Sequence, residues 1–450
     1  MNLIEMVKAA GVVGAGGAGF PTHVKLNTKV EYFIVNAAEC EPLIETDKYL
    51  CRTFADRIIR TIPQIAEAIG ASKKVIALKG AYEKEIAALK DAIREQNSDV
   101  EIFELGYFYP AGDEQTLIQQ VTGRCVPERG LPSDVGCVVD NVGTVLNIAD
   151  ALEGKAVTEK YLSVVGEVEH PIQLRVPIGT PVLECVKAAH PTVSDFALIM
   201  GGPMMGKQLT EQAAMEQAVV TKTTGNILVL PKDHYLFRKA SLPMETVRKQ
   251  TKSACLQCKM CTELCPRYLI GHQIHPNLMM RGLWLEPTIT DNEEYLRMYG
   301  EAANCCSCGV CEMFACPMGL SPRKVNDYLK GELRNRGIQV PKNPEAHARE
   351  FVQQRKTPTN RLVARLGLSE YYGKHPRSCE ELTADTVFIP FSQHIGKPAQ
   401  AVKRSGETVE KGELLAAAAE GALSANIHSS VNGVIEEITD KGARIRCRKE

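Results

Sequence analysis

The sequence predicts a multidomain chain that joins an α/β unit to α+β units, with a helical segment built around two cysteine runs. Three observations carry that expectation. Short apolar strands alternate with amphipathic helices through the first third of the chain, an alternating hairpin pattern starts near residue 160, and closely spaced cysteines cluster between Cys255 and Cys316. A length of 450 residues matches about three domains, and a hydrophobic content of 44% supplies apolar side chains for cores of that size.

In chain order, strands are expected at 32–36, 74–78, 100–103 and 136–140, separated by helical stretches at about 50–70, 82–96 and 113–121. That alternation predicts a mainly parallel sheet. Residues 160–180 alternate apolar positions on both sides of Glu169-His170-Pro171, which reads as a hairpin, followed by a short helix over 181–189 and a Gly/Met-rich loop from Gly201 to Gly206. Helical segments surround the cysteine runs from about 240 to 335. Residues 336–380 are charged and interrupted by proline, as in a linker or wrapping arm, and short strands with Gly turns resume at 386.

The cysteine runs carry the strongest chemical signal. They read Cys255-x2-Cys258-x2-Cys261-x3-Cys265-Pro266 and Cys305-x2-Cys308-x2-Cys311-x4-Cys316-Pro317. In bacterial two-cluster ferredoxins three thiolates at this spacing hold one cluster, and the fourth, before proline, reaches the other. Cys255, Cys258, Cys261 and Cys316 are therefore assigned to one [4Fe-4S] cluster, and Cys305, Cys308, Cys311 and Cys265 to a second. The second run has one extra residue before its last cysteine, and Cys306 offers a competing thiol. A zinc ribbon uses four ligands per ion and would waste thiols here. Disulfides need an oxidising compartment. Residues 1–10 contain Glu5 and Lys8 and no long apolar core, so no export signal is expected and the chain is expected in the cytoplasm. Cys40, Cys51, Cys125, Cys137, Cys185, Cys306, Cys379 and Cys447 are scattered and read mostly as small buried hydrophobes.

The formal net charge of −1 gives no basic face for nucleic acid, and a single Trp284 gives no stacking platform. No apolar run approaches the ~20 residues of a membrane span.

A second signal is the loop Gly14-Ala-Gly16-Gly17-Ala-Gly19-Phe20-Pro21-Thr22. It contains G-x-G-x-x-G but follows a helix-like segment, so it lacks the strand that a dinucleotide fingerprint requires. A turn and an anion- or ring-binding cradle both fit it, because bare backbone N–H groups permit close approach. Lys25 nearby can pair with a phosphate. Glu39 and Glu41 follow the first expected strand, where ligands of open α/β sheets sit.

These blocks, with Tyr109-Pro-Ala-Gly112-Asp113-Glu114 and Asp140-Asn141-Val-Gly-Thr144, resemble the FMN and NADH site of the flavoprotein subunit of respiratory complex I. Their combination with two ferredoxin runs resembles the Rnf complex C subunits, and the domain order is similar to that of the cobalamin reductases of propanediol-utilisation microcompartments. The resemblance implies a Rossmann-like FMN/NADH domain over 1–154, a soluble-ligand-binding β-grasp domain over 155–238, a two-cluster ferredoxin-like domain over 239–335, a linker over 336–385 and a barrel-sandwich module over 386–450. It further implies that Gly14, Gly16, Gly17 and Gly19 cradle FMN and that Lys25 contacts its phosphate region. Asn36, Asn141 and Thr144 would hold the flavin, and Glu39 and Glu41 would line the flavin and nicotinamide side. Tyr109, Gly112, Asp113 and Glu114 would shape the dinucleotide pocket. The chain has Gly-Asp-Glu and Asp-Asn where the complex I pattern has Gly-Glu-Glu and Asn-Asn.

The C-terminal turns resemble lipoyl and biotinyl domains, but the hairpin 416–426 has no lysine, so it reads as a docking module without a prosthetic arm. The Gly201–Gly206 loop fits a corrinoid-binding loop and a spacer equally. The family implies NADH as donor, cobalamin or a corrinoid-handling enzyme as acceptor, a microcompartment location and contact with a shell protein. Electron supply to a glycyl-radical microcompartment and a role in a membrane Rnf complex are the alternatives.

Overall fold

Tyr32–Asn36, Lys73–Lys79, Glu101–Leu105 and Cys137–Asn141 form a wholly parallel sheet, in which the first strand lies between the second and the fourth and the third sits at the edge. The computed structural model describes residues 1–448, so residues 449 and 450 of the expected C-terminal module lie outside the described residues. Strands covered on both faces must be apolar throughout, and Phe33, Ile34 and Val35 are fully buried. The expected helix over 50–70 is two helices, Thr46–Thr53 and Ala55–Ile69, because Phe54 leaves helical geometry at φ −121°, ψ 24°. Ile58, Ile59, Ile62, Ile65 and Ile69 recur at helical spacing and cover one face of the sheet, and Gly70, at φ +68°, ends that helix in a left-handed cap. Truncating Ile62 to alanine there costs ~2–5 kcal/mol.

The chain builds outward from Tyr32–Asn36 on one side and then returns to its other side with Cys137–Asn141. Connections leave these two neighbours in opposite directions, which opens a crevice at their C-terminal ends.

A second sheet contains the hairpin Glu159–Gly166 and Ile172–Pro177, paired antiparallel, together with Asn226–Pro231, Phe196–Met200 and Lys207–Leu209. The Gly201–Gly206 loop connects the last antiparallel pair in that sheet. Met244–Ala254, Pro276–Gly282, Asn292–Tyr299 and Pro322–Asn335 pack around Val247, Met279, Tyr295, Tyr299 and Leu329 and carry the cysteine runs between them.

The 336–385 segment is a packed strap. Thr357–Pro358 pairs with Phe108–Tyr109, Leu362, Val363, Leu366 and Leu368 are fully or almost fully buried, and Cys379–Glu381 adds to the edge of the second sheet beside Ile172–Pro177. Its charge and prolines concealed this, because the apolar positions that anchor it are few.

The C-terminal strands form a four-stranded and a three-stranded sheet around Val387, Ile389, Leu415, Ile427, Ile435 and Ile445. Lys222 fastens this unit to the N-terminal one: its Nζ donates to Gly11 O at 2.6 Å and to Asn426 O at 2.7 Å. The Ile395 amide also donates to Gly19 O at 3.0 Å.

Candidate functional site

The Gly14–Gly19 loop is closed by the bridge between Val13 and Pro21 and by the Gly14 amide donating to Phe20 O at 2.9 Å. Gly17 has φ +117°, and a Cβ built there would meet no described heavy atom within 4 Å, so its bare backbone faces open space. A Cβ on Gly16 would lie 3.2 Å from Asn141 Cβ, and one on Gly19, at φ +68°, would lie 3.0 Å from Thr223 Cγ2. The loop thus needs glycine for close packing at Gly16 and for backbone angle at Gly17 and Gly19.

Two side chains lock the loop to the crevice. The Ala15 amide donates to Thr144 Oγ1 at 2.9 Å, and Lys160 Nζ donates to Ala15 O at 3.1 Å. Asn141 caps helix Val142–Leu152 by accepting from the Gly143 amide at 2.9 Å, while its Nδ2 donates to Asp47 Oδ2 at 2.6 Å. Asn36 Nδ2 donates to Gly112 O at 2.9 Å. Burial pushes Asp47 up to about 6 and Lys160 down to about 8, and burial next to Asp47 raises Glu39. Asp140 Oδ2 is buried without a hydrogen-bond partner among the described residues. A bare glycine loop, a helix N-terminus pointing at it and a side-chain amide on each strand end fit a phosphorylated flavin.

Lys25 joins this frame, donating to Val139 O at 2.7 Å and pairing with Asp140 at 3.4 Å and Glu114 at 3.5 Å. A cleft of about 760 Å³ is lined by Glu39, Glu41, Lys48, Lys79, Tyr82 and Tyr107. Lys79 is almost fully buried and lies 5.1 Å from the Tyr107 ring centroid; burial lowers it to about 8. Glu39 lines this cleft, and its carboxylate accepts from the Lys48 amide at 3.1 Å. The Glu41 carboxylate accepts from the Met204 and Met205 amides at 2.7 and 3.1 Å, so it also clamps the Gly201–Gly206 loop.

Tyr109 and Asp113 differ from expectation. Tyr109 is buried to 1% exposure and does not line the cleft; its hydroxyl donates to Cys308 O at 2.7 Å. Asp113 caps helix Glu114–Thr122 and accepts both guanidinium arms of Arg267, at 2.5 and 2.8 Å. The loop expected to shape a dinucleotide pocket is instead bonded to the cysteine segment through these two side chains, because a buried hydroxyl and a buried carboxylate each need a partner. Gly112 stays packed under the crevice, where a Cβ would lie 2.9 Å from Cys40 Cβ.

The cysteines gather in two groups that cross between the runs. Cys255, Cys258, Cys261 and Cys316 line one cavity, and Cys265, Cys305, Cys308 and Cys311 line a second together with Cys306. Both loops bend alike. Gln257 and Lys259 flank Cys258 at φ +55° and +64°, and Ser307 and Gly309 flank Cys308 at φ +58° and +79°. This register aligns Cys305 with Cys255 and places Cys306 opposite Leu256. The extra residue of the second run is absorbed by a π-helical turn, Cys311–Ala315, where the first run has the α-helical Met260–Glu263. Amides also donate to sulfur, Ser307 N to Cys305 Sγ at 3.4 Å and Leu320 N to Cys316 Sγ at 3.3 Å. Four thiols around a cavity, with N–H groups on the sulfurs, fit a [4Fe-4S] cube in each group.

Sequence reasoning did not single out Asp47, Lys160 or Arg267. Each acts through a partner 94, 145 or 154 positions away, so no local spacing announces it.

Residues 7–150 match the Nuo51 FMN-binding domain, residues 254–321 a 4Fe-4S dicluster domain, and residues 375–445 the RnfC barrel sandwich hybrid domain. Cobalamin reductase PduS of Citrobacter freundii is 42% identical over 445 residues, covering 98% of this chain and 95% of the relative. Its counterpart from Salmonella typhimurium is 43% identical over the same coverage. A component of the Na(+)-translocating ferredoxin:NAD(+) oxidoreductase complex of Acetobacterium woodii is 34% identical over 287 residues, 62% of this chain and 61% of that relative.

Proposed function

The chain belongs to the cobalamin reductase family, and from that premise we propose that it passes electrons from NADH, through FMN and two [4Fe-4S] clusters, to cobalamin. FMN supplies the conversion between a two-electron hydride donor and one-electron carriers. The observation that carries this reading is the direct bonding of the flavin-side loop to the segment of the Cys265 cavity, Tyr109 to Cys308 and Asp113 to Arg267, in a chain that gathers its cysteines around two cavities.

In this reading Gly14, Gly16, Gly17 and Gly19 present backbone N–H groups and bare surface to FMN, with Asn36, Asn141 and Thr144 fixing the crevice around it. Lys160 places positive charge at the loop through Ala15 O, which favours a phosphate, while Lys25 is held between Asp140 and Glu114 at the neighbouring strand end. The cleft beside Glu39 is the proposed NADH site; Lys48, paired with Glu45, and Lys79, whose Nζ donates to Glu39 O, would supply positive charge to its wall, and Tyr82 and Tyr107 aromatic surface. Glu39 lies at its flavin end, and Glu41 fixes the neighbouring loop. Hydride transfer needs placement of two rings more than a protein nucleophile, and the cleft's carboxylates, lysines and tyrosines suit placement.

The finer architecture follows the family: a Rossmann-like unit over 1–154, a β-grasp unit over 155–238, a ferredoxin-like unit over 239–335 and a barrel-sandwich module from 386. A place inside or at the shell of a propanediol-utilisation microcompartment, in contact with a shell protein, completes the proposal. Among the described residues no helix is long and apolar enough to cross a membrane.

Anaerobic NADH should bleach the flavin in the wild type and in a Cys258→Ala, Cys308→Ala double variant, while cobalamin reduction falls sharply in the variant alone. A variant that reduces cobalamin at the wild-type rate would refute transfer through the clusters. Rapid reduction of a dye with negligible reduction of cobalamin would replace the cobalamin assignment with general electron supply.

A further inference from the structure

The two thiol groups sit in different surroundings. Cys265, Cys308 and Cys311 are each less than a tenth exposed and Cys305 is half-buried, whereas in the other group Cys316 alone is that buried, Cys255 and Cys261 are half-buried, Cys258 is exposed and its neighbour Leu256 is 65% exposed. Among the described residues, the group containing Cys265 is the one bonded to the flavin-side loop: Tyr109 reaches the Cys308 carbonyl, and Arg267, two residues after Cys265, holds Asp113. Cys265, Cys305, Cys308 and Cys311 therefore form an inner group facing the flavin, and Cys255, Cys258, Cys261 and Cys316 an outer group facing solvent.

Arg267 is 9% exposed and lies close enough to Cys306 and Cys308 to interact with both. A guanidinium costs much to bury unless it is paired, and the two-pronged contact with Asp113 offsets that cost. Both charges act on Cys306 in opposite senses, Arg267 more strongly than Asp113, and Arg267 also follows Cys265 by two residues. One-electron reduction adds a negative charge to a group that already carries four thiolates, and a nearby cation favours that charge more strongly the lower the local dielectric.

We propose that Arg267 is a positioning residue that raises the potential of the inner cluster above what its burial alone would give, with Asp113 moderating the effect, so that the electron leaving the flavin is accepted first at the inner group. The inference rests on the reading that both thiol groups hold [4Fe-4S] clusters fed by the flavin. The donor is flavin reduced by NADH, each cluster takes one electron at a time, and no bond to the protein forms or breaks.

The test is a dithionite titration of the full chain with redox mediators, followed by electron paramagnetic resonance, on wild type, Arg267→Gln, Arg267→Lys and Asp113→Asn. The inner signal is identified as the one lost in Cys308→Ala. Arg267→Gln should move the inner midpoint to lower potential and leave the outer one in place. Asp113→Asn should move it the opposite way, and Arg267→Lys, which keeps the charge, should lie near wild type. A merely structural pair would shift both substitutions in one direction, or move both clusters, and either result overturns the proposal. If Arg267→Gln fails to retain the inner cluster, the upward shift in Asp113→Asn decides. Clusters that respond to dithionite but not to NADH would refute the electron-supply reading while leaving the Arg267 shifts readable. Two normal clusters whose midpoints ignore both substitutions would refute this inference alone.

Discussion

The Tyr109 hydroxyl donates to the carbonyl oxygen of Cys308 at 2.7 Å, across 199 positions of sequence and in full burial. One side chain thereby connects the loop after Phe108–Tyr109 to the bend that carries a cluster ligand, and the strap strand Thr357–Pro358 pairs with the backbone beside it. Tyr109→Phe keeps the ring and leaves the Cys308 carbonyl unpaired. A buried group left unsatisfied costs ~1–3 kcal/mol. The expected result is a lower thermal midpoint with unchanged flavin and iron content; a midpoint equal to wild type would show that the carbonyl finds another donor.

Gly17→Val tests the cradle against the turn. No described atom lies within 4 Å of a Cβ at Gly17, so the substitution creates no clash there, although φ +117° is a strained angle for valine. Strain of this kind costs ~1–3 kcal/mol. The fold and both clusters should persist while FMN is lost, because the branched side chain fills the open face of the loop. Normal flavin content in the purified variant would make the loop a turn only.

Much of the fold was legible in the sequence for a physical reason: Tyr32–Asn36, Lys73–Lys79 and Cys137–Asn141 carry short apolar runs that are mostly buried, while Glu101–Leu105 at the sheet edge exposes Glu101 and Glu104. The cysteine grouping was legible because ligand spacing is local chemistry. What escaped was set by distant partners. The break at Phe54 does not interrupt the apolar pattern, and the strap over 336–385 is anchored by a few leucines among many charges. The roles of Tyr109 and Asp113 depended on Cys308 and Arg267, which only the folded chain brings to them.

Lys222 gives a pH-dependent expectation. It is buried to 1% exposure, donates to two carbonyl oxygens, and burial lowers it from the usual lysine range to about 7. The unfolded chain keeps this proton up to about pH 10.4, so between the two values the unfolded state binds more protons and stability rises with pH. Below about pH 7 both states are protonated, and the folded state carries the full desolvation cost, on the order of a few kcal/mol. The difference in thermal midpoint between wild type and Lys222→Met should therefore shift in favour of wild type from about pH 7 to about pH 10. A difference that stays flat across that range would mean that Lys222 remains charged in the folded protein.

The register of the second cysteine run yields the most discriminating substitution. Cys305 and Cys306 are adjacent, both lie in the wall of the inner cavity, and spacing alone leaves either free to be the first ligand. The backbone separates them: left-handed residues flank Cys308 at Ser307 and Gly309 just as they flank Cys258 at Gln257 and Lys259, so Cys305 takes the place of Cys255 and Cys306 that of Leu256. Ser307 N also donates to Cys305 Sγ, as expected for a thiolate that carries charge on a cluster. Cys306→Ala should then retain about eight irons and eight acid-labile sulfides per chain, whereas Cys305→Ala should fall to about half of each and lose the inner cluster signal. If Cys306→Ala loses the cluster while Cys305→Ala keeps it, the shared bend does not set the register and the first two ligands of the second run are separated by one residue instead of two.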